Sequence, residues 1–143
     1  MQPNEKRTVF GSVEMVRLPA VNSNLFAVKI DTGAWSGALH STGIYEQDGT
    51  LYFTPLGNAN LATTTNQYEK RTVRSSSGVS EDRYMVPLEL EIKGKNYHTT
   101  VSLSDRTLMS REMLLGRKFL IENNILVDVA LTVDNDHEAE KFL

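Results

Sequence analysis

Apolar residues in this chain fall in short runs of four to eight, each broken by Gly, Pro, Asn or Asp, with little sustained helical periodicity. Runs of that length suit strands better than buried helices, so the pattern predicts a mainly β chain with few helices. Phe10 to Leu18 and Leu25 to Ile30 read as strands around a turn at Pro19 to Asn24, where Pro and Asn act as breakers. Ile44 to Gln47 and Leu51 to Phe53 flank Asp48-Gly49, a pair whose tolerance of positive φ suits a tight hairpin. Asn58 to Asn66, rich in Asn, Thr and Ala, reads as a surface loop. Tyr68 to Arg74 and Arg83 to Ile92 read as the arms of a hairpin with a small, polar tip at Ser75-Ser76-Ser77-Gly78. In the second arm Leu88, Leu90 and Ile92 alternate with Glu89 and Glu91, which gives one buried and one wet face. Lys93 to Asn96 turns the chain into a strand at Tyr97 to Leu103; Arg117 to Asn123 has the one brief helical pattern, and Ile125 to Val129 reads as the last strand.

At 143 residues the chain fits one domain, with a core over about 8–130 and a charged tail over 131–143 that is expected to fray. A net charge of −3 supplies no basic field, which argues against nucleic acid as a partner. No apolar run reaches the roughly 18 residues needed to span a bilayer, and Met1 to Val9 is too polar for a signal peptide, so no membrane partner is expected. The cytoplasm is the favoured location, or the periplasm if a leader was removed. The absence of cysteine rules out disulfides, thiolate zinc sites and a cysteine nucleophile.

Asp31 follows the apolar run Leu25 to Ile30 and precedes Thr32-Gly33, at a strand end where the chain must turn. A carboxylate placed there is presented from a rigid support. Two such carboxylates, close enough to share one proton, titrate in two coupled steps. The ionised member activates water and the protonated one hydrogen-bonds a scissile carbonyl, without metal or covalent intermediate. Thr32 can fix the loop through its hydroxyl, and Gly33 removes a side chain that would block backbone approach. Taken alone, the triplet is an ordinary turn with Asp accepting local backbone hydrogen bonds.

The neighbouring blocks change that balance. Lys29-Ile30-Asp31-Thr32-Gly33-Ala34 with Ala38-Leu39-His40, the tip Val73 to Gly78, Leu103-Ser104-Asp105-Arg106 and Met113-Leu114-Leu115-Gly116-Arg117 occur in one order. Together they resemble the retropepsin-like aspartic peptidases, in the bacterial and archaeal group labelled ATP-dependent zinc proteases. The resemblance runs from about Phe10 to Val129. It implies an all-β acid protease fold, a closed retropepsin-like β-barrel with one short C-terminal helix. It also implies a flap at Ser75 to Gly78, a peptide or protein substrate and no cofactor. Asp31, Thr32 and Gly33 become the catalytic residues; Ala34, Trp35, Arg74, Ser76, Ser77, Gly78 and Arg117 become candidates for substrate binding.

Only one Asp-Thr-Gly occurs, so the resemblance implies a homodimer in which each subunit contributes Asp31, Thr32 bonds across the twofold axis and the terminal strands join the interface. Ala34 offers the pair no hydroxyl, which implies a working range nearer neutral pH than that of pepsin-type enzymes. Relatives carry Arg-Thr-Ser after the alanine where this chain has Trp35-Ser36-Gly37, so their substrate contacts do not transfer. Retroviral proteases place an aspartate near the position of Trp35 to pair with the arginine of the Gly-Arg block, and by that resemblance Arg117 lacks its partner. Asp105 and a substrate carboxylate are the two candidate replacements. Relatives are often encoded beside ligases that add glutamate, which implies acidic or glutamyl-extended peptides as substrates.

Two other functions stand beside this one. A catalytically silent binding module would keep the fold without turnover. A zinc-dependent peptidase would need ligands from His40, Asp31 or further acids, and none of the three imidazoles, His40, His98 and His137, forms the i, i+4 pair of metallopeptidases. His40 with Asp31 is the one metal candidate, against a structural hydrogen bond for the same imidazole.

Overall fold

The computed structural model describes residues 7–74 and 78–131, with Val73 and Arg74 described by their backbone alone. Within them the chain is mostly β with one short helix. Strands β2 (Val13–Arg17) and β3 (Phe26–Ile30) form the first antiparallel hairpin, with Val13 opposite Lys29 and Val16 opposite Phe26. Its turn holds a short 3-10 segment at Pro19–Val21, and Ser23 Oγ accepts from the Leu18 amide at 2.8 Å. Strands β4 (Gly37–Gln47) and β5 (Thr50–Pro55) form the second hairpin. At its tip Asp48 and Gly49 have φ of 52° and 78°, the pairing of positive angles that a two-residue type I′ turn needs.

Strand β7 (Glu69–Arg74) pairs with the first half of β8 (Ser80–Ile92), and β8 pairs with β9 (Lys95–Ser104) from Tyr84–Leu103 to Ile92–Lys95. Along β8 the alternation holds at Leu90 and Ile92, which are fully buried while Glu89 and Glu91 are half-buried; Leu88 is half-buried too. Strand β10 (Met113–Leu115) lies parallel to β3 and antiparallel to β4. The pairings β10, β3, β2, β8, β9, β4 and back to β10 therefore close a ring.

Helix α1 (Arg117–Glu122) packs on this ring through Phe119, whose ring centroid lies 5.4 Å from that of Tyr97. Phe10 completes the aromatic group at 6.1 Å from Tyr97. Each such side chain taken out of water stabilises the fold by roughly 1.5–3 kcal/mol.

The structure corrects three readings of the sequence. Phe10 to Leu18 is not one strand: β1 (Thr8–Phe10) ends before Gly11 and pairs in parallel with β11 (Ile125–Val127) in a separate two-stranded sheet. The break is fixed by the buried Glu14 carboxylate, which accepts from the Gly11 amide at 2.7 Å. Asn58 to Asn66 is not a plain loop. It contains a 3-10 turn at Ala59–Leu61, started by Asn58 Oδ1 accepting from the Asn60 amide, and strand β6 (Thr63–Thr65) on the edge of β5. The last strand stops at Val127, because the Asp128 carboxylate accepts from the Ala130 amide and turns the chain.

Candidate active site

Asp31 stands at the end of β3, where its amide leaves the β2 ladder and donates instead to the Leu115 carbonyl at 2.8 Å. Its own Oδ1 accepts from the Gly33 amide at 3.0 Å, and the Ala34 amide donates to its carbonyl at 3.2 Å, so Asp31 to Ala34 forms a closed turn. The turn is held from behind by α1. The first amides of a helix have no partner inside it. Here Arg117 donates its amide to the Ala34 carbonyl at 2.8 Å, and Lys118 donates to that of Trp35 at 3.1 Å. The Arg117 guanidinium adds a bond to the Thr32 carbonyl at 2.9 Å and lies over the Trp35 ring, 5.9 Å from its centroid.

Asp31, Thr32, Gly33, Ala34, Trp35 and Arg117 are thus brought together on one braced turn, with Thr32 and Gly33 exposed and Trp35 53% exposed. Arg74 ends β7 with its backbone paired to Ser80, and Gly78 opens β8's approach at φ 84°. Ser76 and Ser77 lie outside the described residues.

Arg117 does not pair with Asp105. The Asp105 carboxylate instead accepts from the Thr107 hydroxyl and amide, which hold it below its ordinary titration range. It also lies 3.7 Å from His40 Nδ1. His40 is buried, and that Nδ1 accepts the Arg106 amide at 2.8 Å, which leaves the proton of the neutral ring on Nε2. Among the described residues no group of three or more His, Asp or Glu side chains gathers to hold a metal. The structural hydrogen bond weighed for His40 is present, in the form of the Arg106 amide on Nδ1.

Two basic residues near Asp31 were missed in the sequence. Lys29 Nζ lies 3.8 Å from Asp31 Oδ2, and its spacing of two along β3 puts both side chains on one face of the strand. Arg106 feels Asp31 and Arg83 electrostatically, a proximity created by the chain leaving β9 beside β8. The first was legible as strand alternation; the second depends on the path of a loop. A cavity of about 390 Å³ adjoins Trp35, with Met85, Pro87 and Phe119 as apolar lining and Tyr68, Arg71 and Lys118 as polar lining. It is of a size that takes peptide side chains.

A single braced Asp-Thr-Gly turn on a ring of strands defines the class to which comparison with known proteins also leads. The chain belongs to the RimB-like family, retropepsin-like aspartic endopeptidase RimB, whose family model matches residues 9–138. A crystal structure of a Legionella pneumophila protein with unknown function superposes with a TM-score of 0.60 at 27% identity, covering 90% of this chain and 98% of that one. Among curated proteins, a probable alpha-L-glutamate ligase of Shewanella pealeana is 26% identical over 134 residues, 87% of this chain and 29% of its own length. Another, of Parasynechococcus marenigrum, is 27% identical over 132 residues, 86% of this chain and 28% of its own. The chain spans about a third of the length of the curated relatives it matches.

Proposed function

We propose that this chain is an aspartic-type endopeptidase that works as a homodimer on acidic or glutamyl-extended peptides. The observation that carries the reading is the support under Asp31: a carboxylate at a strand end, in a turn tied to β10 and to the first amides of α1. On this reading the strand ring is the closed β-barrel of the acid protease fold, one domain with its core over about 8–130. Twofold symmetry brings a second Asp31 to the first, with the exposed Thr32 at the axis and the terminal strands β1 and β11 in the interface. One carboxyl keeps the shared proton and hydrogen-bonds the scissile carbonyl. The other, ionised, takes a proton from water as it attacks, and the proton then passes to the leaving amine.

An acidic substrate is supported by the cations around the turn, Lys29, Arg106 and Arg117, and by the name of the longer relatives, glutamate ligases. We read that name as pointing to a glutamyl chain handled in common, with ligation belonging to the remaining two thirds of those proteins. Asp31→Asn is expected to lower hydrolysis of a glutamyl oligopeptide by at least about a hundredfold, the lower range for losing a positioned acid or base. Circular dichroism and sedimentation should be unchanged. Retained hydrolysis in a folded variant overturns the reading.

A further inference from the structure

We infer that Arg106 is the anchor for a carboxylate of the substrate, held in place by His40. The inference rests on the glutamyl-peptide reading and assigns the residue that selects for it. Arg106 is pinned at two points: its amide donates to His40 Nδ1 at 2.8 Å, and its Nε donates to the Arg111 carbonyl at 3.2 Å. His40 is itself fixed by its position in β4, where its amide donates to the Glu112 carbonyl at 2.6 Å and its carbonyl accepts from Leu56 at 2.8 Å. The amide bond fixes the backbone from which the side chain springs, and the Nε bond takes rotamer freedom from the side chain itself before any ligand arrives, which favours binding when one does.

The other cations near the turn have partners. Lys29 lies beside Asp31, Arg83 donates to Glu81 at 2.7 Å, and Arg117 donates to the Thr32 carbonyl. Among the described residues, no carboxylate forms an ion pair with Arg106, and its two terminal nitrogens are left as donors. A guanidinium that is partly withdrawn from water, close enough to Asp31 and Arg83 to feel both, and without an anion of its own is built to receive one. A peptide lying across Asp31 with a glutamyl side chain or terminal carboxylate near the cleavage point supplies it. His40 acts here as a positioning residue.

The test is binding to the full chain carrying Asp31→Asn, so that neither turnover nor the charge of Asp31 contributes. Fluorescein-labelled tetraglutamate and tetraglutamine are titrated by anisotropy. The parent should prefer tetraglutamate. Arg106→Gln should weaken tetraglutamate by about tenfold or more, as losing a charge-assisted contact implies, with less than about a twofold change for tetraglutamine. Arg106→Lys, which keeps the charge and loses the fork, should fall between. Lys95→Gln, which removes a charge from the far end of β9, should change neither. A parent that binds neither peptide or both alike, an Arg106→Gln protein that keeps the preference, or an equal loss in Lys95→Gln overturns the assignment. Hydrolysis by the Asp31→Asn protein would sink the peptidase reading instead, and the binding comparison would still stand on its own.

Discussion

A β-carbon placed on Gly116 would lie 2.6 Å from the carbonyl oxygen of Trp35 and 2.8 Å from that of Ala34. Both atoms are backbone of the turn that carries Asp31, so neither can swing aside. The absence of a side chain at 116 lets α1 start close enough to donate its amides to those carbonyls. Gly116→Ala should therefore cost about 1–3 kcal/mol, the usual range for overpacking, read as a lower midpoint in urea at unchanged slope. Because the strain falls on the catalytic turn, kcat should fall in the fraction that remains folded. A variant of unchanged midpoint and activity would mean that α1 and the turn are not packed as described.

The dyad reading predicts how activity responds to mixing. If each active centre needs Asp31 from two chains, equal amounts of wild type and Asp31→Asn, allowed to exchange subunits, leave about a quarter of the dimers with two aspartates. Activity at fixed total chain concentration should drop to about that fraction. Independent active centres would leave about half. Dilution of the wild type should lower specific activity in step with dissociation seen by sedimentation; activity proportional to chain concentration throughout would count against a shared centre.

What the sequence made legible, and what it hid, follows the range of the interactions involved. The Asp48-Gly49 hairpin and the alternation along β8 are local, set by φ preference and the period of two, and both are present in the fold. Asp31 in its turn was equally legible, since the Gly33 amide that binds its carboxylate is two residues away. Gly11 shows the opposite case. Its break between β1 and β2 depends on a buried Glu14 and on the close approach of the Leu131 carbonyl, 2.7 Å from where its β-carbon would lie. Asp105 is a candidate partner for Arg117 only through the resemblance, and its carboxylate is engaged by Thr107 two residues on. The bracing of Arg106 by His40 joins residues 66 apart in sequence, and no periodicity announces it.

Tyr68 gives a prediction at high pH. Its phenol donates to the Glu46 carboxylate, and that bond, more than burial or charge, pushes its pKa up to about 12. The native state then holds this proton more tightly than the unfolded chain does. The stabilisation is complete below the ordinary phenol value of about 10 and is lost as pH rises toward 12. In absorbance titration, two of the five tyrosines should ionise late, Tyr68 and the Tyr97 that burial raises, and Glu46→Gln should bring Tyr68 alone back toward the others. Identical curves for the two proteins would remove the bond from the solution structure.

Asp105 gives the mirror case at low pH. Hydrogen bonds from the Thr107 hydroxyl and then its amide lower the pKa from 3.8, so the folded state favours the ionised carboxyl. That contribution is present above the unfolded value and is lost as pH falls through the lower folded one. Carboxyl-carbon NMR should show Asp105 titrating late in acid, and Thr107→Val should move it upward. Since this turn adjoins the Arg106 amide, the same substitution should also weaken tetraglutamate binding; a shift in titration without any change in binding would separate the turn from the anchor.

The terminal sheet offers a test of how β1 is attached. Glu14 is 1% exposed, accepts from the Gly11 amide at 2.7 Å and lies 3.5 Å from Lys93 Nζ, which also donates to the Val9 carbonyl at 3.1 Å. One buried carboxylate thus joins the break after β1 to the turn between β8 and β9. Deleting one partner of a buried pair typically costs about 3–5 kcal/mol, but the Lys93 side chain is 44% exposed and water can take up its charge. The loss in Glu14→Ala should therefore be nearer 2 kcal/mol, mainly from the orphaned Gly11 amide. Glu14→Gln keeps an acceptor for that amide and should lose about half as much. The damage should be local before it is global: amide exchange at Phe10, whose β1 pairing depends on this corner, should quicken more than at Leu90 in β8. Equal acceleration at both positions would mean that β1 is no separable unit and that Glu14 stabilises the whole sheet.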